Sequence, residues 1–367
     1  MATTTPSRPP RRPPLAFVAV GLGGALVGAL VTGVLIGLLQ LQSPTATPAT
    51  QTAPAPSPSP TVSVLPTQPR DVEGCPAATV PVSTAEDLEI ALAGAEPGDV
   101  ITLSPGVYAG EFSTTASGTQ DDPIWLCGTA EAVLQGEGPE GGYVFHLDGA
   151  QYWRLQGFTV TEGQKGVMAD GTVGSEIRGL TVHQIGDEAI HLRRSSTDNV
   201  IAGNTVSDTG LRKPKFGEGV YVGTAESNWC EISDCQPDLS DRNVVEDNTF
   251  FNTTAEAVDI KEGTSSGIVR NNTFDGSMLY EDGADSWVDV KGNDWLIEGN
   301  AGTTSVKDGY QTHEIVEGWG TRNVFRDNSA VGTGGFGFSL TPVLANVVEC
   351  GNTVTDAREG YANVDCR

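Results

Sequence analysis

Cations are scarce in this chain. Its 367 residues include 21 lysines and arginines against 47 aspartates and glutamates, a formal net charge of −26 at pH 7. That balance excludes a nucleic-acid partner, whose phosphates require a basic footprint. Acidic residues are absent before Asp71, where four of the basic residues lie, so the remainder carries 17 basic against 47 acidic groups, a charge of −30. Such a field repels acidic polymers at long range, so an acidic substrate would need a local cationic site. Two-residue hairpin signals are few, which argues against a β-propeller of antiparallel blades. The six cysteines show no zinc-ligand spacing.

Charge is also missing from Leu15 to Leu41, a run dominated by Leu, Val, Ala and Gly. At 1.5 Å per residue it reaches roughly 40 Å, enough to cross a hydrocarbon core of about 30 Å. Arg8, Arg11 and Arg12 precede it and no basic residue follows until Arg70. This asymmetry predicts a single-pass protein of the cell membrane, N-terminus cytoplasmic and the remainder extracytoplasmic. The run is longer than a signal-peptide core and no small-x-small site follows directly, which favours an uncleaved anchor over the alternative, a cleaved signal peptide. The expected organisation is a basic tail over 1–14, the transmembrane anchor over 15–41, a disordered Pro/Thr/Ser/Ala-rich linker over 42–70, and one domain over 71–367. The linker composition cannot bury a core and tends to extended polyproline II, a stalk. An even cysteine count in an exported domain favours disulfides, expected as Cys75–Cys127, Cys230–Cys235 and Cys350–Cys366.

Six short segments superimpose in one register: Ala189–Arg193, Gly219–Gly223, Ala257–Lys261, Trp287–Lys291, Gly309–His313 and Gly335–Ser339. Their second and fourth residues are mostly apolar, so a period of two builds a core from Ile190, Leu192, Val220, Val222, Val258, Ile260, Val288, Val290, Phe336 and Phe338. The opposite face carries His191, Arg193, Tyr221, Asp259, Lys261, Asp289, Lys291, Gln311 and His313. A hydrophobic pair with an Asn turn follows each segment, ending in Asn204, Asn248, Asn272, Asn300, Asn328 and Asn352. Asn tolerates left-handed backbone angles and can hydrogen-bond its stacked equivalents. Two strand types repeating at a variable period predict a solenoid with inserted loops, an all-β right-handed parallel β-helix. Ser83-Thr84-Ala85-Glu86 reads as a capping box before Leu88, Ile90, Ala91 and Leu92. The short helix it predicts would cover the first coil's open edge and keep the domain monomeric.

The stretch from Asp87-Leu88 through Ala95-Glu96-Pro97-Gly98-Asp99-Val100-Ile101-Thr102-Leu103-Ser104-Pro105-Gly106-Val107-Tyr108 to Asp122-Pro123-Ile124 resembles the opening of β-helical polysaccharide lyases of the alginate lyase and chondroitin lyase B type, within the pectate-lyase-like superfamily. The block Gly217–Trp229 is similar to one in secreted bacterial β-helix proteins. The resemblance implies a parallel β-helix acting on carbohydrate. No lyase motif matches residue by residue, so it assigns no catalytic role, and the superfamily also holds hydrolases and adhesins.

Stacked strands about 4.8 Å apart gather the polar face into one patch. For β-elimination on a uronic-acid polymer, cations or Ca²⁺ must neutralise the carboxylate while a base takes the adjacent proton. Asp259 and Asp289 on adjacent coils are candidates to share Ca²⁺. Lys261, Lys291 and Arg193 are candidates for neutralisation or base, since a lysine beside another cation loses proton affinity. His191, Tyr221 and His313 are further proton-transfer groups. Trp287, Gln311, Arg194, Lys213, Lys215, Glu226 and Trp319 are candidate substrate contacts, several of them in insertions near 208–218, 224–242, 278–286 and 314–321 that would form a groove rim. The alternatives are a glycoside hydrolase using Asp259 and Asp289 as its carboxylate pair, a non-catalytic polysaccharide-binding or adhesin-like surface protein, and a solvated salt-bridge lattice with no site at all. An acid repeats before the strands at Glu188, Glu218, Glu256 and Asp308, for which turn chemistry is the plain explanation. His146 stands outside the repeat register with no charged company.

Overall fold

A computed structural model describes residues 74–367. The basic tail, anchor and linker expected over 1–70 lie outside the described residues. Among the described residues, no helix is long and apolar enough to cross a membrane.

The chain winds as a parallel β-helix with three sheets of 11, 10 and 10 strands. Each coil contributes one strand to each sheet, and pairing is parallel throughout, as in Ile190↔Val220 and Val245↔Val269. The two expected strand types are therefore joined by a third. It follows each Asn turn, as Thr205–Ser207, Thr249–Phe251 and Thr273–Asp275. Those strands bury only one apolar residue each, Val206, Phe250 and Phe274. A pattern with a single apolar position is easily passed over as loop.

No coil can bury its apolar side chains alone; stacking does so. Ile190, Leu192, Val220, Val222, Val258, Ile260, Val288 and Val290 are fully enclosed, as the alternation predicts. The last segment is an exception. Tyr310 pairs with Phe338, not with Phe336, so the final register lies two residues later than the sequence alignment places it. Leu340 replaces Phe336 in the core. Phe338 stacks on Tyr310, with ring centroids 5.1 Å apart.

The Asn ladder is continuous. In each step the backbone N–H and side-chain amide of one Asn donate to Oδ1 of the next, from Asn204 to Asn248 and onward to Asn352. The left-handed residue is not the ladder Asn. It is the residue before it: Gly203, Asp247, Asn271, Gly299 and Asp327 have φ between 55° and 64°. A second ladder runs through Asn199 and Asn243.

Helix Ala85–Ala93 covers the first coil, burying Leu88 and Leu92. Its cap is Thr84, whose side chain accepts from the Asp87 N–H, one residue later than the predicted box. The three disulfides are Cys75–Cys127, Cys230–Cys235 and Cys350–Cys366, as expected.

Candidate active site in the loop-walled cleft

One ten-stranded sheet contains all six aligned segments. Parallel register places His146, Met168, His191, Tyr221, Asp259, Asp289, Gln311 and Ser339 in one column. Two residues further along each strand run Asp148, Asp170, Arg193, Lys261, Lys291 and His313. These side chains leave the core, as the alternation requires, and apart from the exposed Asp148 they are buried or half-buried. Loops inserted after the strands rise around them. Asp259 is 2% exposed, Asp289 3%, His191 6% and Lys291 8%. The cleft above them has a volume of about 820 Å³, with walls that include Arg212, Lys215, Phe216, Asn228, Asp285 and Ile315. The charges are not those of a solvated lattice: they are enclosed, and enclosed charges must be paired.

They are paired in alternation. Lys261 Nζ lies 2.5 Å from Asp259 Oδ2; Lys291 Nζ lies 2.6 Å from Asp259 Oδ1 and 2.5 Å from Asp289 Oδ2; His313 Nδ1 lies 3.0 Å from Asp289 Oδ1. Burial pulls the lysines toward neutrality, yet the carboxylates beside them outweigh it and hold both above the ordinary lysine value. The expected loss of proton affinity does not occur, because each ammonium faces anions more closely than it faces the other cation. Burial works against Asp289 ionising, but Lys291 and His313 overcome it and hold the carboxyl below the usual range. The His313 bond to Asp289 raises the imidazole. The Lys291 ammonium bridges the two carboxylates expected to share Ca²⁺, Asp259 and Asp289.

His191 and Tyr221 occupy the adjacent rungs, ring centroids 4.5 Å apart. His191 Nε2 lies 3.0 Å from the Gly223 carbonyl. A carbonyl only accepts, so Nε2 carries the hydrogen and Nδ1 keeps a lone pair. That Nδ1 has no hydrogen-bond partner and faces Glu188 Oε1 at 3.7 Å. Burial, helped by Lys165, pushes the imidazole well below its ordinary value, so it stays neutral. Tyr221 moves the other way: burial and the Asp259 charge keep its phenol protonated. Lys261 sits 4.8 Å from the Tyr221 ring centroid.

Three of the four repeated acids are not ordinary turn residues; the fourth, Asp308, is half-buried, accepts the Phe336 N–H and lies outside the cleft lining. Glu188, Glu218 and Glu256 sit at one level of three successive coils, joined by the backbone bonds from Ala189 N–H to Glu218 and from Gly219 N–H to Glu256. Each is at most 7% exposed and lines the cleft. Lys165 pairs with Glu188. Burial and neighbouring carboxylates push Glu218 well above the usual range and Glu256 up to about 8.

The other candidates divide. Arg193 lines the cleft but is committed to Asp170, which also bonds His146 Nε2 at 3.0 Å. His146 therefore does have charged company, through strand Lys165–Asp170, which lies before the first aligned segment. Lys215 lines the cleft over the Phe216 ring. Gln311 is buried against Asp285. Trp287 is fully enclosed in the core against Tyr310, not outward, because it precedes the strand at a bend where alternation fails. Arg194, Lys213, Glu226 and Trp319 lie outside the cleft lining. The wall residues Lys165, Asp187, Arg212 and Phe216 were missed; the Arg212–Asp187 pair spans 25 residues and no local pattern announces it.

The family described as right handed beta helix region matches residues 141–295. An alginate lyase from Paenibacillus sp. str. FPU-7 is 34% identical, with a TM-score of 0.73, covering 78% of this chain and 99% of that one. The chain belongs to the pectate-lyase-like β-helix family. Two further solved relatives of this β-helix share the fold alone. Geobacillus virus E2 ORF18 is 13% identical with a TM-score of 0.60, over 78% of this chain and 59% of that one. Tailspike protein 2 of bacteriophage CBA120 is 10% identical with a TM-score of 0.52, over 73% and 42%. No curated protein sequence matches the chain.

Proposed function

We propose that this β-helix protein is an extracytoplasmic lyase that cleaves a uronic-acid-containing polysaccharide, with alginate the first polymer to try, by β-elimination in the cleft. The observation that carries the reading is the His191–Tyr221 pair: a neutral imidazole with an unpartnered Nδ1 beside a phenol that keeps its proton. The alginate lyase identity of the 34% relative supports the substrate class. His191 Nδ1 takes the proton adjacent to the uronate carboxylate. The electron pair left behind forms the carbon–carbon double bond as the bond to the glycosidic oxygen breaks. Tyr221 gives its proton to that oxygen. Lys261, held cationic beside the Tyr221 ring, offsets the negative charge that develops as the phenol gives up its proton. Lys291 holds Asp259 and Asp289 in place. The anchor and stalk expected over 15–70 would present the domain outside the cell membrane.

The hydrolase alternative needs one carboxyl of the Asp259–Asp289 pair to act as an acid. Both bond Lys291, and Asp289 is held ionised, so the geometry does not favour it. The test is a panel of alginate, pectate and neutral glucan. Lyase action releases unsaturated ends that absorb in the ultraviolet. Reducing ends without that absorbance would mean hydrolysis, and retention of polymer without either would mean a binding module.

A further inference from the structure

We propose that Glu218 and Glu256 form a carboxyl clamp that receives the carboxylate of the substrate's uronate by donating hydrogen bonds to it. The inference rests on the lyase reading and assigns the anion-recognition element that elimination needs.

The cations at the cleft floor are already committed, and Lys215 on the wall lies over the Phe216 ring. Lys261 and Lys291 are bonded to Asp259 and Asp289, Arg193 to Asp170, Lys165 to Glu188, and Arg212 to Asp187. The glutamates are not. Glu218 is 5% exposed and Glu256 7%, and neither makes an ion pair among the described residues. Glu218 Oε2 is buried with no hydrogen-bond partner at all. It lines the cleft one rung from Glu256, and the nearest carboxylate oxygens of Glu218, Glu256 and Asp259 lie within 4.8 Å of one another. Three carboxyls so close cannot all ionise. Glu188, Glu256 and Asp259 raise Glu218, with Lys261 opposing; Asp259 and Asp289 raise Glu256, with Lys291 opposing. A neutral carboxyl has an O–H to give, and an enclosed donor without an acceptor awaits one. A uronate carboxylate is the matching acceptor, and the bond it makes is charge-assisted. Binding in this way also withdraws electron density from the carboxylate, which acidifies the neighbouring proton beside His191.

The sign follows. The donating form exists below the raised carboxyl values and is lost as pH rises through them. Binding of a reduced hexuronate disaccharide is measured by calorimetry between pH 5.5 and 9.5, in the Tyr221→Phe background to stop turnover. Its carboxyl-reduced neutral analogue is the control. Affinity for the acid should weaken about ten- to a hundredfold across this range, with no change for the neutral sugar. Glu218→Gln and Glu256→Gln keep an N–H donor that does not titrate, so each should bind at the low-pH level and show a flatter profile. An unchanged pH profile in both variants overturns the clamp. So does loss of binding in the Gln variants at every pH while circular dichroism stays native, and so does a requirement for added Ca²⁺ that the variants abolish. Wild-type turnover on alginate at pH 6 is scored separately. If the disaccharide binds but no unsaturated product forms, the lyase reading fails and the clamp stands as a recognition site; if it never binds, the clamp fails, and unsaturated product from alginate alone decides the lyase reading.

Discussion

At the scale of single residues, enclosure does most of the chemistry. The proposed base role of His191 depends on burial and Lys165 holding it neutral while its Nε2–H donates to the Gly223 carbonyl. Tyr221→Phe should lower kcat by about 10²- to 10⁴-fold with little change in KM, since the phenol acts only as the leaving oxygen gains charge; a KM effect alone in steady-state kinetics would remove it from the acid role. The ion-pair chain makes a pH prediction of its own. The carboxyls of Asp289 and Asp170 are depressed in the fold, despite burial that opposes ionisation, by Lys291 and His313 in one case and by His146 and Arg193 in the other. Their stabilisation is present above the unfolded carboxylate value of about 4 and is lost as pH falls through the folded values. Urea midpoints should therefore drop steeply below about pH 4, and Asp289→Asn should show a shallower drop from a lower starting point. Equal slopes for the two proteins would show that the carboxylate is not the linked group.

At the scale of the element, the coil turn matters most. Asn272 Oδ1 accepts from the backbone and side chain of Asn248, and its Nδ2 donates to the Val245 carbonyl and to Asn300. Asn272→Ala orphans several enclosed groups and should cost about 2–4 kcal/mol by chemical denaturation; a loss under about 0.5 kcal/mol would mean that water replaces the ladder. These turns were legible in the sequence because Asn recurs after a fixed hydrophobic pair. Facing was legible too: Val258-Asp259-Ile260 and Val288-Asp289-Val290 allow only one assignment of inside and outside. Register at the last coil was not, because Phe336 and Phe338 have the same parity and either could sit opposite Tyr310. Nor was enclosure, which is made by loops around Lys215, Asn228 and Asp285 that carry no periodicity. The glutamates illustrate the cost: Glu218 and Glu256 read as turn residues until those loops close over them. Trp287 shows the converse error, since alternation was extended one residue past the strand Val288–Val290.

At the scale of the whole molecule, the cleft has to work against the domain that contains it. The region from Asp71 onward carries a formal charge of −30, and the cations at the cleft floor are internally compensated. An acidic polymer approaching from solution meets net repulsion and is recognised only at contact. The field reaches about 30 Å at 0.01 M salt but about 10 Å at 0.1 M. Raising ionic strength across that range should therefore lower KM for an acidic polysaccharide several-fold while kcat stays near constant, the reverse of the weakening seen where a basic surface binds a polyanion. Above roughly 0.5 M, where the screening length falls toward 3 Å, contact pairs are screened as well and KM should rise again. Initial rates from ultraviolet absorbance at fixed pH, with sodium chloride and a second monovalent salt, would check the shape. A KM that rises steadily from the lowest salt would mean that the approach is steered by attraction, and that the cations around the cleft are freer than their pairing with Asp259, Asp289 and Asp170 implies.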